Sequence, residues 1–183
     1  MKREEALKLL NEKLKNKNLI KHSLAVEVCM IGLAKNFKEN EEKWAIAGLL
    51  HDIDYEETKN DPNLHSVKGA EFLENLGIEK EIFEAVKTHN EAHGIIPESK
   101  LAKALFCVDP LTGLIVAATL VLPTKKIKDL TAENVLNRFK EKSFARGAKR
   151  EIILKCSEVG LSLEEFVKIC LEAMKSINNQ LEL

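Results

Sequence analysis

The chain has 183 residues, 45% of them apolar and 31% charged. That is enough to bury a core without disulfide staples and too polar for a membrane bundle or a disordered tail. Its 28 basic and 29 acidic residues nearly cancel, leaving a net charge of −1, which argues against a broad nucleic-acid or anionic-membrane footprint and leaves room only for a local basic pocket.

Apolar residues recur with the 3.6 period of helices, and alternating β-branched runs are missing, so the expected fold class is all-α. Helices are expected at 3–16, 19–38, 41–54, 64–76, 79–92, 99–121, 131–143, 147–158 and 163–178. The last has the plainest signal: Ser162 and Glu165 form a capping-box pattern ahead of the apolar stripe Phe166, Val167, Cys170, Met174 and Ile177. Gly77, Gly94 and Gly160 stand where left-handed helix stops belong, and Asp61-Pro62 and Pro97 mark loops.

The longest apolar stretch, Leu111 to Pro123, contains glycine and threonine and is shorter than the ~20 residues of a membrane-spanning helix. The opening MKREEALKLL mixes charge signs and lacks an apolar signal core. Cys29, Cys107, Cys156 and Cys170 lie far apart with no CxxC spacing, the pattern of buried free thiols in a reducing cytoplasm. All five histidines fall between residues 22 and 93. The histidine-free part beyond Pro123, with Lys125, Lys126 and Lys128, reads as a helical extension packed on a histidine-bearing core within one domain.

Phosphate-loop, GxGxxG, HExxH, GxSxG and Glu-x-x-His patterns are all missing. What remains is a set of histidines and aspartates in otherwise apolar segments. His51-Asp52 follows Ala47-Gly48-Leu49-Leu50, so Asp52 is expected to be buried, and a buried carboxylate demands a cation or strong donors. His22 sits among Leu24, Val28 and Ile31, and Asp109 follows Leu105-Phe106-Cys107-Val108. Each alone is compatible with an ordinary core residue. Together, as His, His-Asp and Asp on separate apolar segments, they point to a divalent metal held by nitrogen and oxygen.

That order resembles the HD superfamily of metal-dependent phosphohydrolases, whose motif H…HD…D maps here onto His22, His51-Asp52 and Asp109. The resemblance covers about residues 18–121, with 122–183 as the extension. His65-Ser66-Val67-Lys68-Gly69 is similar to the HPxxG segment of two-metal branches, with Ser66 in place of proline, and His89 matches their next histidine. The resemblance therefore implies one ion on His22, His51, Asp52 and Asp109. A second would sit on His65 and His89 with Asp52 bridging, or else these two histidines bind phosphate beside a single ion. His93 reads as a surface residue. Asp54, where many relatives have glycine followed by lysine, is a general acid, a group behind the ligands, or a solvated carboxylate at a helix end.

With that lysine gone, Arg146 and Arg150, four apart, are the candidate phosphate fork if the helix extends that far, or else an exposed basic face. The expected activity is hydrolysis of a phosphate ester in a nucleotide or other small phosphorylated metabolite, with manganese, iron, cobalt, nickel or zinc as the ion. A non-catalytic sensor binding such a ligand is the alternative. An oxygenase at a di-iron site is also known in the superfamily, and the oligomeric state is left open.

Overall fold

The computed structural model describes residues 1–183 and contains helices and no strand. In chain order these are α1 (Arg3–Lys13), α2 (Lys17–Phe37), α3 (Glu41–Leu50), α4 (Tyr55–Thr58), α5 (Val67–Asn75), α6 (Lys80–Thr88), α7 (Lys100–Leu120), α8 (Ala132–Lys140), α9 (Arg150–Ile153), α10 (Leu163–Ser176) and α11 (Asn178–Leu181). Short 3-10 turns follow at Glu91–His93, Ile127–Asp129 and Leu154–Val159.

The expected helices form where local signals are strong. Ser162 and Glu165 make the reciprocal capping box at the start of α10, and Phe166, Val167, Cys170 and Met174 are buried behind it. Two expected helices are broken. The one at 41–54 stops at Leu50, so His51 and Asp52 lie in the turn between α3 and α4 rather than inside a helix. The one at 147–158 becomes the single turn of α9 and a 3-10 run, with Arg146 outside both.

α2 and α7 are the central pair. α2 packs on α3, α7 and α10, and α7 on α6, α8 and α9. Gly48 permits the α2–α3 contact: a Cβ there would sit 2.9 Å from the Glu27 Cα and 3.0 Å from its backbone nitrogen. Glu27 itself is fully buried and accepts a two-pronged bond from Arg3, which fastens α1 to α2.

α7 is, by length and composition, apolar enough to cross a membrane, because the stretch that looked too short continues back to Lys100. Two-thirds of its apolar window (67%) is buried against the other helices, where it serves as the core helix. One apolar cluster runs from Ala6 to Leu181 and takes in α8–α11, so the residues beyond Pro123 share the core of the preceding helices. All four cysteines are buried and free.

Candidate metal centre

Six side chains from five segments converge. His22 comes from the first turns of α2, His51 and Asp52 from the α3–α4 turn, His65 from the turn before α5, His89 from the end of α6 and Asp109 from the middle of α7. His22 Nε2 lies 2.9 Å from Asp109 Oδ1 and 3.7 Å from Asp52 Oδ2, and His51 Nε2 is 3.4 Å from the same Asp52 oxygen. The other Asp52 oxygen, Oδ1, faces His65 Nε2 at 3.2 Å and His89 Nε2 at 3.3 Å. Asp52 thus turns one oxygen to each half of the cluster.

All four imidazoles present Nε2 because something holds Nδ1. His51 Nδ1 donates to the Gly48 carbonyl at 2.8 Å and His89 Nδ1 to the Val86 carbonyl at 2.6 Å, each three residues back along its own helix. His65 Nδ1 lies 3.1 Å from Asp54 Oδ1. His22 Nδ1 lies 3.3 Å from the Thr112 hydroxyl, which gives its own proton to the Asp109 carbonyl and so accepts here. Such outer partners fix the tautomer that leaves the Nε2 lone pair free.

The donor set fits a divalent ion. His22 and His51 bring their Nε2 atoms within 3.2 Å, two lone pairs face to face once both Nδ1 protons are committed. Without a cation that contact is held together by protons. Burial alone would lower His51, but the Asp52 carboxylate outweighs it and lifts the imidazole to about 9. Burial likewise opposes His65, which hydrogen bonds to Asp52 and Asp54 raise to about 10. Burial would raise both carboxyls, yet His51 holds Asp52 well below the usual range and His22 depresses Asp109. Two groups of ligand atoms lie within 4.8 Å of one another: His22, His51 and Asp109, and His51, Asp52 and His89. An array of nitrogen and carboxylate oxygen suits manganese, iron, cobalt, nickel or zinc.

Three side chains play parts that the sequence left open or misjudged. Asp54 is buried; its Oδ2 accepts from the Ser66 and Gly69 backbone N–H groups at 2.8 and 3.0 Å, so it braces His65 from behind and is no solvated carboxylate. Ser66 adopts φ +71°, which proline, locked near −65°, cannot reach, and a proline would also lack the N–H that Asp54 accepts. The two departures from the motif are therefore one feature, since they touch. Gly69 lets Asp54 come close to the start of α5, since a Cβ there would lie 3.1 Å from Asp54 Oδ1. His93 is partly buried, and its Nε2 donates to the His65 carbonyl at 2.6 Å, which makes it a brace for the ligand segment instead of a free surface residue.

Arg146 and Arg150 are not brought together as a fork. The chain turns through Ala145 at φ +45°, Arg146 is exposed, and the Arg150 guanidinium is spent on six main-chain carbonyls, including Phe144 at 2.6 Å and Ala148 at 2.6 Å. The cation beside the centre is Lys149. It lines a cleft of about 360 Å³ with Tyr55, Asn90 and Phe106, reaching His65, His89 and Asp109, and it pairs with Glu91 across the rim. Nothing local in the sequence separates Lys149 from its basic neighbours. Thr112, one turn after Asp109, was likewise invisible.

The HD domain family matches residues 19–112, a span that contains all six converging side chains. Among curated proteins, Ribonuclease Y from Lawsonia intracellularis is 31% identical over 138 residues, covering 74% of this chain and 26% of that protein. Ribonuclease Y from Oleidesulfovibrio alaskensis is 32% identical over 143 residues, or 75% and 27%. Ribonuclease Y from Nitratidesulfovibrio vulgaris is 26% identical over 171 residues, or 91% and 32%. The chain spans between about a quarter and a third of the length of these relatives. No solved structure matches it. With the family match covering more than half of the sequence, this chain belongs to the HD domain family, within the metal-dependent phosphohydrolase superfamily.

Proposed function

We propose that this chain hydrolyses a phosphate ester of a nucleotide or other small phosphorylated metabolite at a two-ion centre. His22, His51, Asp52 and Asp109 hold one ion, and His65 and His89 hold the other, with Asp52 shared. Divalent ions bound there would supply Lewis acidity and lower the pKa of a water molecule toward neutrality. The observation that carries this reading is the division of Asp52, with Oδ2 facing His22 and His51 and Oδ1 facing His65 and His89.

The residues of the chain then have separate tasks. Gly48, Val86, Thr112 and Asp54 keep the four imidazoles in their ligating tautomer. The centre opens to solvent on the side of His22 and Asp109, whose side chains are 26% and 32% exposed, while His51 is fully buried. Substrate enters on that open side. Lys149 and Tyr55 on the cleft wall meet the phosphate oxygens, with Lys149 offsetting the charge that builds on them, while the Asn90 amide is held by the Pro62 and His65 carbonyls.

A ribonucleotide strand is a second reading, favoured by the relatives named Ribonuclease Y. Metal quantification on protein purified without metal-affinity steps, followed by a panel of phosphomonoesters, phosphodiesters and short RNA with manganese, cobalt, nickel and magnesium, tests both. Asp52→Ala and His51→Ala should lose metal and turnover together, and turnover retained in either variant rejects the centre. Tight ligand binding without release of product from any ester would make the chain a sensor.

A further inference from the structure

A second cleft, of about 440 Å³, begins at His22 on the open side of the centre and is separate from the one lined by Lys149. Its floor is Gly113, its walls are Val116 and Leu120 of α7 facing Leu181, and its rim carries Lys21 and Glu182, which pair with each other, beside Asn18. Its size is within the range of small-ligand sites.

Gly113 is an independent sign that this space is kept open. It lies one helical turn beyond Asp109, on the same face of α7. A Cβ at this position would meet nothing within 4 Å, so packing does not require a glycine. Glycine inside a helix costs about 1 kcal/mol relative to alanine. The chain gives up that stabilisation at the place where a side chain would intrude on the cleft.

We propose that this cleft binds the base of a nucleotide substrate whose phosphate lies at the centre. The assignment rests on the phosphohydrolase reading above and adds the side of the centre on which the organic group lies. The apolar walls suit a flat ring. On the rim Asn18 offers both a donor and an acceptor beside the Lys21–Glu182 pair, matching a heterocycle with both kinds of group on its edge. A second phosphate finds no free cation there, because Lys21 is paired with Glu182, and a purely aliphatic group would leave the Asn18 amide unmatched.

The test uses the full chain loaded with manganese and two hydrolysis-resistant probes, a nucleoside 5′-phosphonate and methylphosphonate, titrated calorimetrically. Gly113→Leu fills the floor, and Leu120→Trp fills the outer wall at a half-exposed position that should not disturb folding. Both variants should bind the nucleoside phosphonate at least 10-fold more weakly while methylphosphonate affinity, metal content and melting temperature stay as in the parent. Nucleoside phosphonate affinity within two-fold of the parent in both variants would overturn the assignment, as would a parallel loss of both probes in Leu120→Trp. If the parent chain hydrolyses no ester and binds neither probe, the reading of the centre itself has failed. Hydrolysis by the parent together with unaffected variants removes only the cleft assignment.

Discussion

Replacing Asp54 by asparagine tests the centre without touching a proposed ligand. The Asp54 Oδ2 atom is anchored by two backbone N–H groups, those of Ser66 and Gly69, and Oδ1 faces His65 Nδ1 at 3.1 Å. An asparagine keeps one acceptor oxygen, and the two fixed N–H groups claim it. The amide NH₂ must then point at His65, where a donor meets the Nδ1 proton. The imidazole escapes by moving its proton to Nε2, the atom that lies 3.2 Å from Asp52 Oδ1. A protonated Nε2 cannot ligate, so a ligand is lost although no heavy atom need move.

Losing an outer partner of this kind costs about 10- to 100-fold in metal affinity, or about 1.4–2.7 kcal/mol. Weaker bonds to the two N–H groups cost the fold a further ~1–3 kcal/mol, which a melting curve reads separately. Manganese titration by calorimetry should find two ions per parent chain. In Asp54→Asn it should find one ion bound almost as before and the other weakened by that factor. Two ions bound with parental affinities would refute the role given to Asp54, and equal weakening of both would show that the two halves of the cluster are not separable.

Other outcomes follow from the same geometry. His51 and His65 hold protons more tightly in the folded chain, to about 9 and about 10, than their ordinary value of 6.5. Stability from that source is complete below about pH 6.5 and drains away as pH rises through the folded values, so the melting temperature of chelator-treated protein should fall between about pH 7 and 10. Metal-loaded protein should resist that fall because the ions replace the protons, and a metal-free melting temperature that climbs over this range would contradict the linkage. Arg150→Ala should destabilise the chain by at least about 2 kcal/mol in urea unfolding, since its guanidinium closes the 138–148 loop. Arg146→Ala, at an exposed position, should stay within about 0.5 kcal/mol. Gly48→Ala should cost about 1–3 kcal/mol despite better helix propensity, because the new methyl meets the Glu27 backbone, which cannot step aside. A stability equal to the parent's would mean that α2 and α3 separate freely.

Much of this protein is written locally. Helices show in the 3.6 period, the start of α10 in Ser162 and Glu165, and helix stops in Gly77, Gly94 and Gly160, all of which adopt positive φ. These signals act over three or four residues, so a linear reading reaches them. The order His22, His51-Asp52, Asp109 was also legible, because ionisable groups inside apolar runs need a shared reason to be there.

Folding alone settled the rest. Whether Asp54 is solvated or buried depends on the Ser66 and Gly69 N–H groups 12 and 15 residues away. Arg150 became a loop clamp because the chain turns at Ala145, a conformation no periodicity announces. Lys149 outranks neighbouring cations only because Glu91 and the cleft lie opposite it. Residue type and spacing decide which groups are able to meet, whereas the partner each one takes is chosen by packing between segments far apart along the chain.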